Sequence, residues 1–300
     1  MFSITILGNN SAVPAHHRHP TAQVLQTAEH TFLIDCGEGT QMQMNAYKIR
    51  RSKISHIFIS HLHGDHYFGL IGLLTSLGLN HRTADLHIFS CEPLKEIIEL
   101  QLGVAKANLP YQIHFHTLCR EEVIFEDATI QVECFAVDHR ITCWGFLFRE
   151  KKNLRKINPE MADHYKVPSQ SFEALHQGAD YVTPGGETIP NEKLTIPASP
   201  PRSYAYCADT RYFEPIIDKV KGVNLLYHEA TYLHEQEDKA FSRFHTTALQ
   251  AGMIAHKAGV QKLILGHFSS MYEELQPFKA EASEVFPNVE IAAEGCCFFL

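Results

Sequence analysis

A layered α/β fold, with helices covering two sheets, is the expectation for this chain of 300 residues. Short apolar runs rich in Ile, Val, Phe and Leu recur along it, and stretches of helical period lie between them. The strands are too numerous and too unevenly spaced for a simple doubly wound sheet; two sheets with outer helices accommodate them. With 45% hydrophobic and 20% charged residues, the chain is globular and has ample material for a core.

In order, "FSITIL", "AQVLQT", "TFLID" and "HIFIS" read as strands. "YFGLIGLLTSLGL" is a helical stretch starting at Tyr67, "LHIFS" a strand, and "EPLKEIIELQLGVA" a helix with apolar residues at helical spacing. The strands "IQVECFAV" and "WGFLF" follow, then "YAYCA" and "NLLYH". "TTALQAGMIAHKAG" carries one apolar stripe and ends on Gly259, a fitting C-cap, before the strands "KLILG" and "VEIAA". Residues 150–201 break this rhythm. Seven of the 14 prolines fall there (Pro159, Pro168, Pro184, Pro190, Pro197, Pro200 and Pro201), and periodicity is weak. The segment reads as a flexible arm inserted into a single domain spanning 1–300.

Neither a signal peptide nor a membrane span is legible, so no membrane association is expected. Eight cysteines without CxxC spacing suit reduced thiols in a cytoplasmic protein better than a disulfide framework. The net charge of −8 argues against a generic nucleic-acid binder but leaves room for a local cationic site. Twenty histidines are many for this length and invite a metal explanation.

Residues 61–66 read "HLHGDH". His61 and His63, two apart in an extended segment, point to one side, and Gly64 permits a turn that brings Asp65 and His66 back toward the same space. That density of N and O donors is what zinc selects, whereas a solvated turn is the bland reading. His139, Asp209 and His267 each follow an apolar strand, as the cluster does, and strand ends on one sheet edge can meet.

The cluster matches the HxHxDH signature of the metallo-β-lactamase superfamily, and more of the chain resembles one of its families, ribonuclease Z, the tRNA 3′-processing endonucleases. "ILGNNSAVPAHHRHPTAQVL", "FLIDCGEGTQMQ", "IFISHLHGDHYFGLIGLL", "VDH", "CADT", "HEAT" with "HTTALQAG", and "LGHFSSMY" are similar to that family's motifs in order, from Ile4 to Ser270. The resemblance implies a four-layer αββα sandwich, removal of the 3′ trailer from precursor tRNA, homodimers, and an arm acting as a tRNA-binding exosite. It implies two zinc ions, one held by His61, His63 and His139, the other by Asp65, His66 and His267, with Asp209 bridging. A water activated by such a pair attacks phosphorus in line, with Asp65 as proton acceptor. His245, oriented by Glu229, is the implied donor to the leaving 3′-oxygen, so the tRNA keeps a 3′-hydroxyl and the trailer a 5′-phosphate. The family's arm usually carries a Gly-Pro motif; the stretch here is "VPSQSFEALHQG", and seven basic residues balance seven acidic ones over 150–202.

Other histidines compete for attention. His114 and His116 alternate in "IHFH" without a carboxylate after them and read as surface residues; His16, His17 and His19 lie in a loop, and His256 on an exposed helix face. Asp35 in "DCGEGT" either orients a ligand histidine or bonds its own loop. Two further readings stay open: a different dinuclear-zinc hydrolase acting on small phosphodiesters, lactones or thioesters, and a non-catalytic metal- or RNA-binding protein. A complete ligand set argues against the last.

Overall fold

The computed structural model describes residues 1–151 and 154–300. Lys152, one of the basic residues of "KKNLRK", lies outside the described residues. The chain divides into two compact units: Met1–Glu126, Val132–Phe148 and Arg202–Leu300 form one, Asp127–Gln131 and Arg149–Pro201 the other.

In chain order the strands are β1 (Ser3–Gly8), β2 (Ala22–Gln26), β3 (Thr31–Ile34), β4 (Ile54–Phe58), β5 (Leu86–Ser90), β6 (Ile113–Thr117), β7 (Glu122–Glu126), β8 (Ile130–Ala136) and β9 (Trp144–Glu150). There follow β10 (Lys156–Ile157), β11 (Tyr181–Val182), β12 (Thr188–Ile189), β13 (Thr195–Ile196), β14 (Ser203–Cys207), β15 (Leu225–Glu229), β16 (Lys262–Gly266), β17 (Val289–Ile291) and β18 (Cys297–Phe299). The helices are α1 (Thr40–Ala46), α2 (Gly64–Tyr67), α3 (Leu70–Leu79), α4 (Pro93–Val104), α5 (Pro159–His164), α6 (Phe172–His176), α7 (Asn191–Leu194), α8 (Ile216–Lys219), α9 (Glu237–Arg243), α10 (Ala248–Ala258) and α11 (Gln276–Ser283).

Two seven-stranded sheets dominate, ordered β18-β1-β2-β3-β4-β5-β6 and β17-β16-β15-β14-β9-β8-β7. Alternation along the strands sends side chains to opposite faces. On β4, Ile57 joins a core with Leu70, Leu73, Leu74 and Leu77 of α3 and Leu94 and Ile98 of α4. Phe58 points the other way and meets Phe146 of β9 at 5.4 Å between ring centroids. On the second sheet, Leu226, Leu263 and Leu265 pack with Ala251, Ile254 and Ala255 of α10 and Phe278 of α11. The layers are therefore helix, sheet, sheet, helix: the αββα sandwich of the metallo-β-lactamase fold.

The helix expected from "TTALQAGMIAHKAG" is α10, opened by a capping box between Thr247 and Gln250 and closed by Gly259 at φ 62°. The helical stretch placed at Tyr67 is two helices, α2 and α3, because Gly69 N bonds back to Cys36 O at 2.9 Å between them. Strands β6, β7 and β18 and helices α1, α8, α9 and α11 escaped the sequence reading; β6 and β7 are only partly buried, so their apolar signal is weak.

The unit containing 149–201 is better ordered than its weak periodicity suggested. It holds α5 to α7, the pairs β10-β13 and β11-β12, and a small core of Ala162, Val167, Leu175, Tyr181, Ile189 and Leu194. Elements of two to six residues are too short to display a period. Asn191 is buried and donates to Leu175 O at 2.9 Å and Ala179 O at 2.7 Å, tying the turns together. Among the described residues no helix is long and apolar enough to cross a membrane.

Candidate metal centre

Parallel pairing of β14, β15 and β16 sets the ends of three strands on one edge. Asp209 follows β14, Glu229 ends β15 and His267 follows β16. Ser60 and His61 follow β4, with Asp65 and His66 in the first turns of α2. His139 follows β8. All seven residues expected as metal ligands meet there: His61, His63, His139 and Asp209 form one group, and Asp65, His66 and His267 a second, with ligand-type atoms within 4.8 Å of one another in each; Asp209 and His267 also form a third such group with His245.

Asp209 divides its oxygens between the groups. Oδ2 faces His61 Nε2 at 3.6 Å and His139 Nε2 at 4.0 Å, while Oδ1 faces His66 Nε2 at 3.4 Å and His267 Nε2 at 3.2 Å. Asp65 Oδ2 lies 3.3 Å from His267 Nε2 and 3.5 Å from His66 Nε2. Imidazoles also face one another through their nitrogens, His61 Nε2 to His63 Nδ1 at 2.9 Å and His66 Nε2 to His267 Nε2 at 3.3 Å. Asp209 Oδ1 is buried and makes no hydrogen bond. Nitrogens and oxygens converging this closely, with an orphaned carboxylate oxygen among them, fit cations bound between them.

Four of the five histidines are anchored through the nitrogen turned away from the centre. Nδ1 of His61 contacts Ser60 Oγ at 3.0 Å, Nδ1 of His66 contacts Asp35 Oδ2 at 2.7 Å, Nδ1 of His139 donates to Phe244 O at 3.0 Å, and Nδ1 of His267 contacts Thr231 Oγ1 at 2.9 Å. Such contacts fix ring orientation and leave Nε2 for a metal. His63 is the exception: it turns Nδ1 inward, and Nε2 accepts from Arg140 Nε at 3.1 Å. Asp35, one of the open cases in the sequence, thus orients the His66 ring. It is fully buried, accepts also from Ser60 N at 2.8 Å, Ser60 Oγ at 2.9 Å and Tyr206 OH at 2.6 Å, and sits at φ 55°. His267 has φ 61°; left-handed backbone at two non-glycine residues marks strain held by the surrounding structure.

The protonation states suit metal binding. Burial, joined by neighbouring histidines, pushes His61 well below its ordinary value and His63 to about 4, so both are neutral. Burial opposes ionisation of Asp209, yet the charges on His267 and His66 hold it well below the ordinary carboxylate range. His66 goes the other way: burial is outweighed by Asp209, Asp65 and Asp35, which hold its proton on, and a cation at that point would take the proton's electrostatic place.

Beside this cluster, His245 Nδ1 bonds Glu229 Oε1 at 2.9 Å. Glu229 is fully buried and also accepts from Thr210 N and Thr231 N at 3.0 Å and from Thr231 Oγ1 at 2.7 Å. Burial disfavours the His245 imidazolium, but the charge and hydrogen bond of Glu229 outweigh it and raise the pKa to about 9. His245, His267 and Asp209 line one cavity of about 440 Å³ with Arg140, Arg243 and Phe68.

Comparison with known proteins gives this edge a family. A family model described as anti-Pycsar protein Apyc1 matches residues 2–154, a span holding "HLHGDH" and His139 but stopping before Asp209, Glu229, His245 and His267. Ribonuclease Z of Bacteroides fragilis (strain YCH46) is 45% identical over 301 residues, covering 100% of this chain and 99% of its own. The chain belongs to the ribonuclease Z family. Ribonuclease Z of Porphyromonas gingivalis (strain W83) is 42% identical, with 98% and 97% covered. Among solved structures, the short form of human tRNase Z superposes with a TM-score of 0.72 at 24% identity, covering 99% and 98%. The metallo-β-lactamase fold protein YhfI of Bacillus subtilis superposes at 0.70 and 19%, covering both chains fully. At those identities the two structures speak for the fold.

Four histidines weighed and set aside in the sequence find other partners or face solvent. His114 pairs with Asp85 at 2.9 Å and His116 with His87 at 3.0 Å on the far strands β5 and β6; His19 pairs with Glu294 at 3.0 Å; His256 is exposed. Gly64 has an explanation other than the expected turn. Its φ is not left-handed, and a Cβ there would lie 2.2 Å from the Phe68 ring, so the feature glycine answers here is the ring packed on it and not backbone freedom. Thr231, Ser60, Arg140 and Phe68 were given no role in the sequence, although Thr231, Ser60 and Phe68 lie inside quoted motifs and Arg140 directly follows His139; Tyr206, inside a strand, gave no signal.

Proposed function

We propose that the chain is a zinc-dependent endoribonuclease that removes the 3′ trailer from precursor tRNA, leaving a tRNA 3′-hydroxyl and a 5′-phosphate on the trailer. The observation that carries the reading is the placement of the His245–Glu229 pair beside a seven-residue His/Asp cluster, in a chain alike over its whole length to ribonucleases Z.

His61, His63 and His139 would hold one zinc ion, Asp65, His66 and His267 another, and Asp209 would serve both through its two oxygens. Zinc bound there would lower the pKa of a water toward neutrality and offset the charge of the phosphoryl oxygens. The chain's own groups do the rest. Asp65, ionised under any physiological condition, accepts the proton of the attacking water. Burial opposes that ionisation, but the charges and bonds of His66 and His267 prevail. His245 enters protonated and gives its proton to the departing ribose 3′-oxygen; Glu229 holds the ring through Nδ1, leaving Nε2 for the cavity. The 2′-hydroxyl has no part in the attack.

The unit containing 150–201 serves as the tRNA-binding exosite, and two copies of the chain form a homodimer. Four cysteines, Cys36, Cys134, Cys143 and Cys207, are buried and free, and burial raises Cys36 to about 12; such inert thiols suit a reducing, cytoplasmic setting. Purified protein, incubated with precursor tRNA with and without a chelator, should yield trailers with 5′-phosphate ends only when metal is present. A 2′,3′-cyclic phosphate on the tRNA would overturn the mechanism, and turnover of bis(p-nitrophenyl) phosphate without any cut in tRNA would favour a small-molecule phosphodiesterase. Mass in solution tests the dimer.

A further inference from the structure

Phe68 sits where hydrophobic burial would not put it. Its side chain is 63% exposed, although it follows directly on the ligand segment and α2. It lines the same cavity as Asp65, His139, Asp209 and His245. A large apolar ring left in water at a polar site calls for a ligand.

The backbone that carries the ring is also held. Its amide bonds Gly64 O at 2.9 Å and the next amide, of Gly69, bonds Cys36 O at 2.9 Å, which fixes the backbone on both sides. One side of the ring lies against Gly64, where even a Cβ would come within 2.2 Å, and Tyr67 meets it edge-on at 5.0 Å between centroids. An exposed aromatic surface on a held stretch of backbone is thus presented beside the metal cluster. Arg140 and Arg243 line the same cavity, and neither guanidinium is ion-paired with a carboxylate among the described residues. An aromatic platform sharing a cavity with guanidiniums that no carboxylate neutralises, one of them donating to His63, is the combination that holds single-stranded nucleic acid: bases stack on the ring, and phosphates meet the arginines.

We infer that Phe68 is the platform on which a base flanking the scissile phosphate stacks, an inference that rests on the endonuclease reading above. Stacking positions the neighbouring phosphate over the metal cluster and is indifferent to which base is present, which suits an enzyme that must cut many tRNAs at one place.

The test crosses a protein change with a substrate change. Steady-state kinetics are measured for wild type, Phe68→Ala and Phe68→Trp, with bound metal quantified in each. The substrates are an intact precursor tRNA and two abasic versions, one lacking the last base before the cut and one lacking the first base after it. Phe68→Ala should raise KM for the intact substrate by about 5- to 150-fold, the range of one lost base–aromatic stack. One abasic substrate should suffer the same loss on wild type yet be no worse for Phe68→Ala than the intact one, and Phe68→Trp should restore KM. Losses that multiply on both abasic substrates, or an unchanged KM for Phe68→Ala, overturn the platform while leaving the endonuclease standing. If wild type does not cut the intact substrate, the endonuclease reading falls first and takes this one with it.

Discussion

Glu229, with no solvent exposure, holds His245 through a 2.9 Å bond to Nδ1, and His245 in turn opens onto the cavity. In the role proposed for it, the pair would be a proton donor whose affinity is set by a buried charge. Its raised pKa means that the protonated form, and the stability contributed by the ion pair, are fully present below the unfolded value and are lost as pH rises through the folded one. Part of the rise to about 9 comes from Asp209 and Asp65, whose charge a bound metal offsets. The loaded enzyme should therefore lose kcat along an alkaline limb between about 6.5 and 9. Glu229→Gln should shift that limb downward; an unmoved limb in a pH–rate profile would remove Glu229 from this role.

His245→Ala should lower kcat on precursor tRNA by about 10²–10⁴-fold, the usual worth of a positioned acid. Metal content should stay at the wild-type level, because the seven-residue cluster does not need this side chain. Atomic absorption on the purified variant checks it, and loss of metal would recast His245 as a ligand.

Asp35→Asn keeps the size of the side chain but removes the charge facing His66 Nδ1 at 2.7 Å. Orienting partners of this kind are worth about 10–100-fold in metal affinity. Competition with a chromophoric chelator should show a loss of that order. Wild-type affinity would mean that Ser60 and backbone packing alone orient His66.

Gly64→Ala places a methyl group where the Phe68 ring lies. Because that ring is exposed, it can move aside, so the stability change should stay within about 1 kcal/mol, near the low end for overpacking. The displaced ring should nonetheless raise KM for precursor tRNA, as Phe68→Ala does. A wild-type KM alongside a wild-type Tm would argue that the ring's position is immaterial.

Deleting residues 155–195 removes a segment with its own small core. KM for precursor tRNA should rise, whereas turnover of bis(p-nitrophenyl) phosphate should continue. An equal loss on both substrates would count against an exosite.

The residues of the cluster were legible because each carries a rare chemistry at a recognisable place. "HLHGDH" is dense in donors, and His139, Asp209 and His267 each follow an apolar run. The strands β1 to β5 and β14 to β16 were legible for a different reason: they are buried on both faces or nearly so, and their sequences are almost continuously apolar. β7 and α11 were not, being half exposed. Gly64 shows a limit of another kind. Glycine in a sequence signals missing bulk, and whether backbone freedom or space is the cause depends on what packs there, here the Phe68 ring.

By itself, the sequence determined the inventory of this centre: which side chains can bind metal, which can carry a proton, and which strands end beside them. Tertiary structure decided the arrangement. That Asp209 gives one oxygen to each group, that Asp35 and Thr231 hold the ligand rings from behind, and that Phe68 stays in solvent all depend on contacts between segments far apart in the chain. Local pattern records the period and polarity of each segment; the distance between two strand ends is fixed only when the sheets pair and pack.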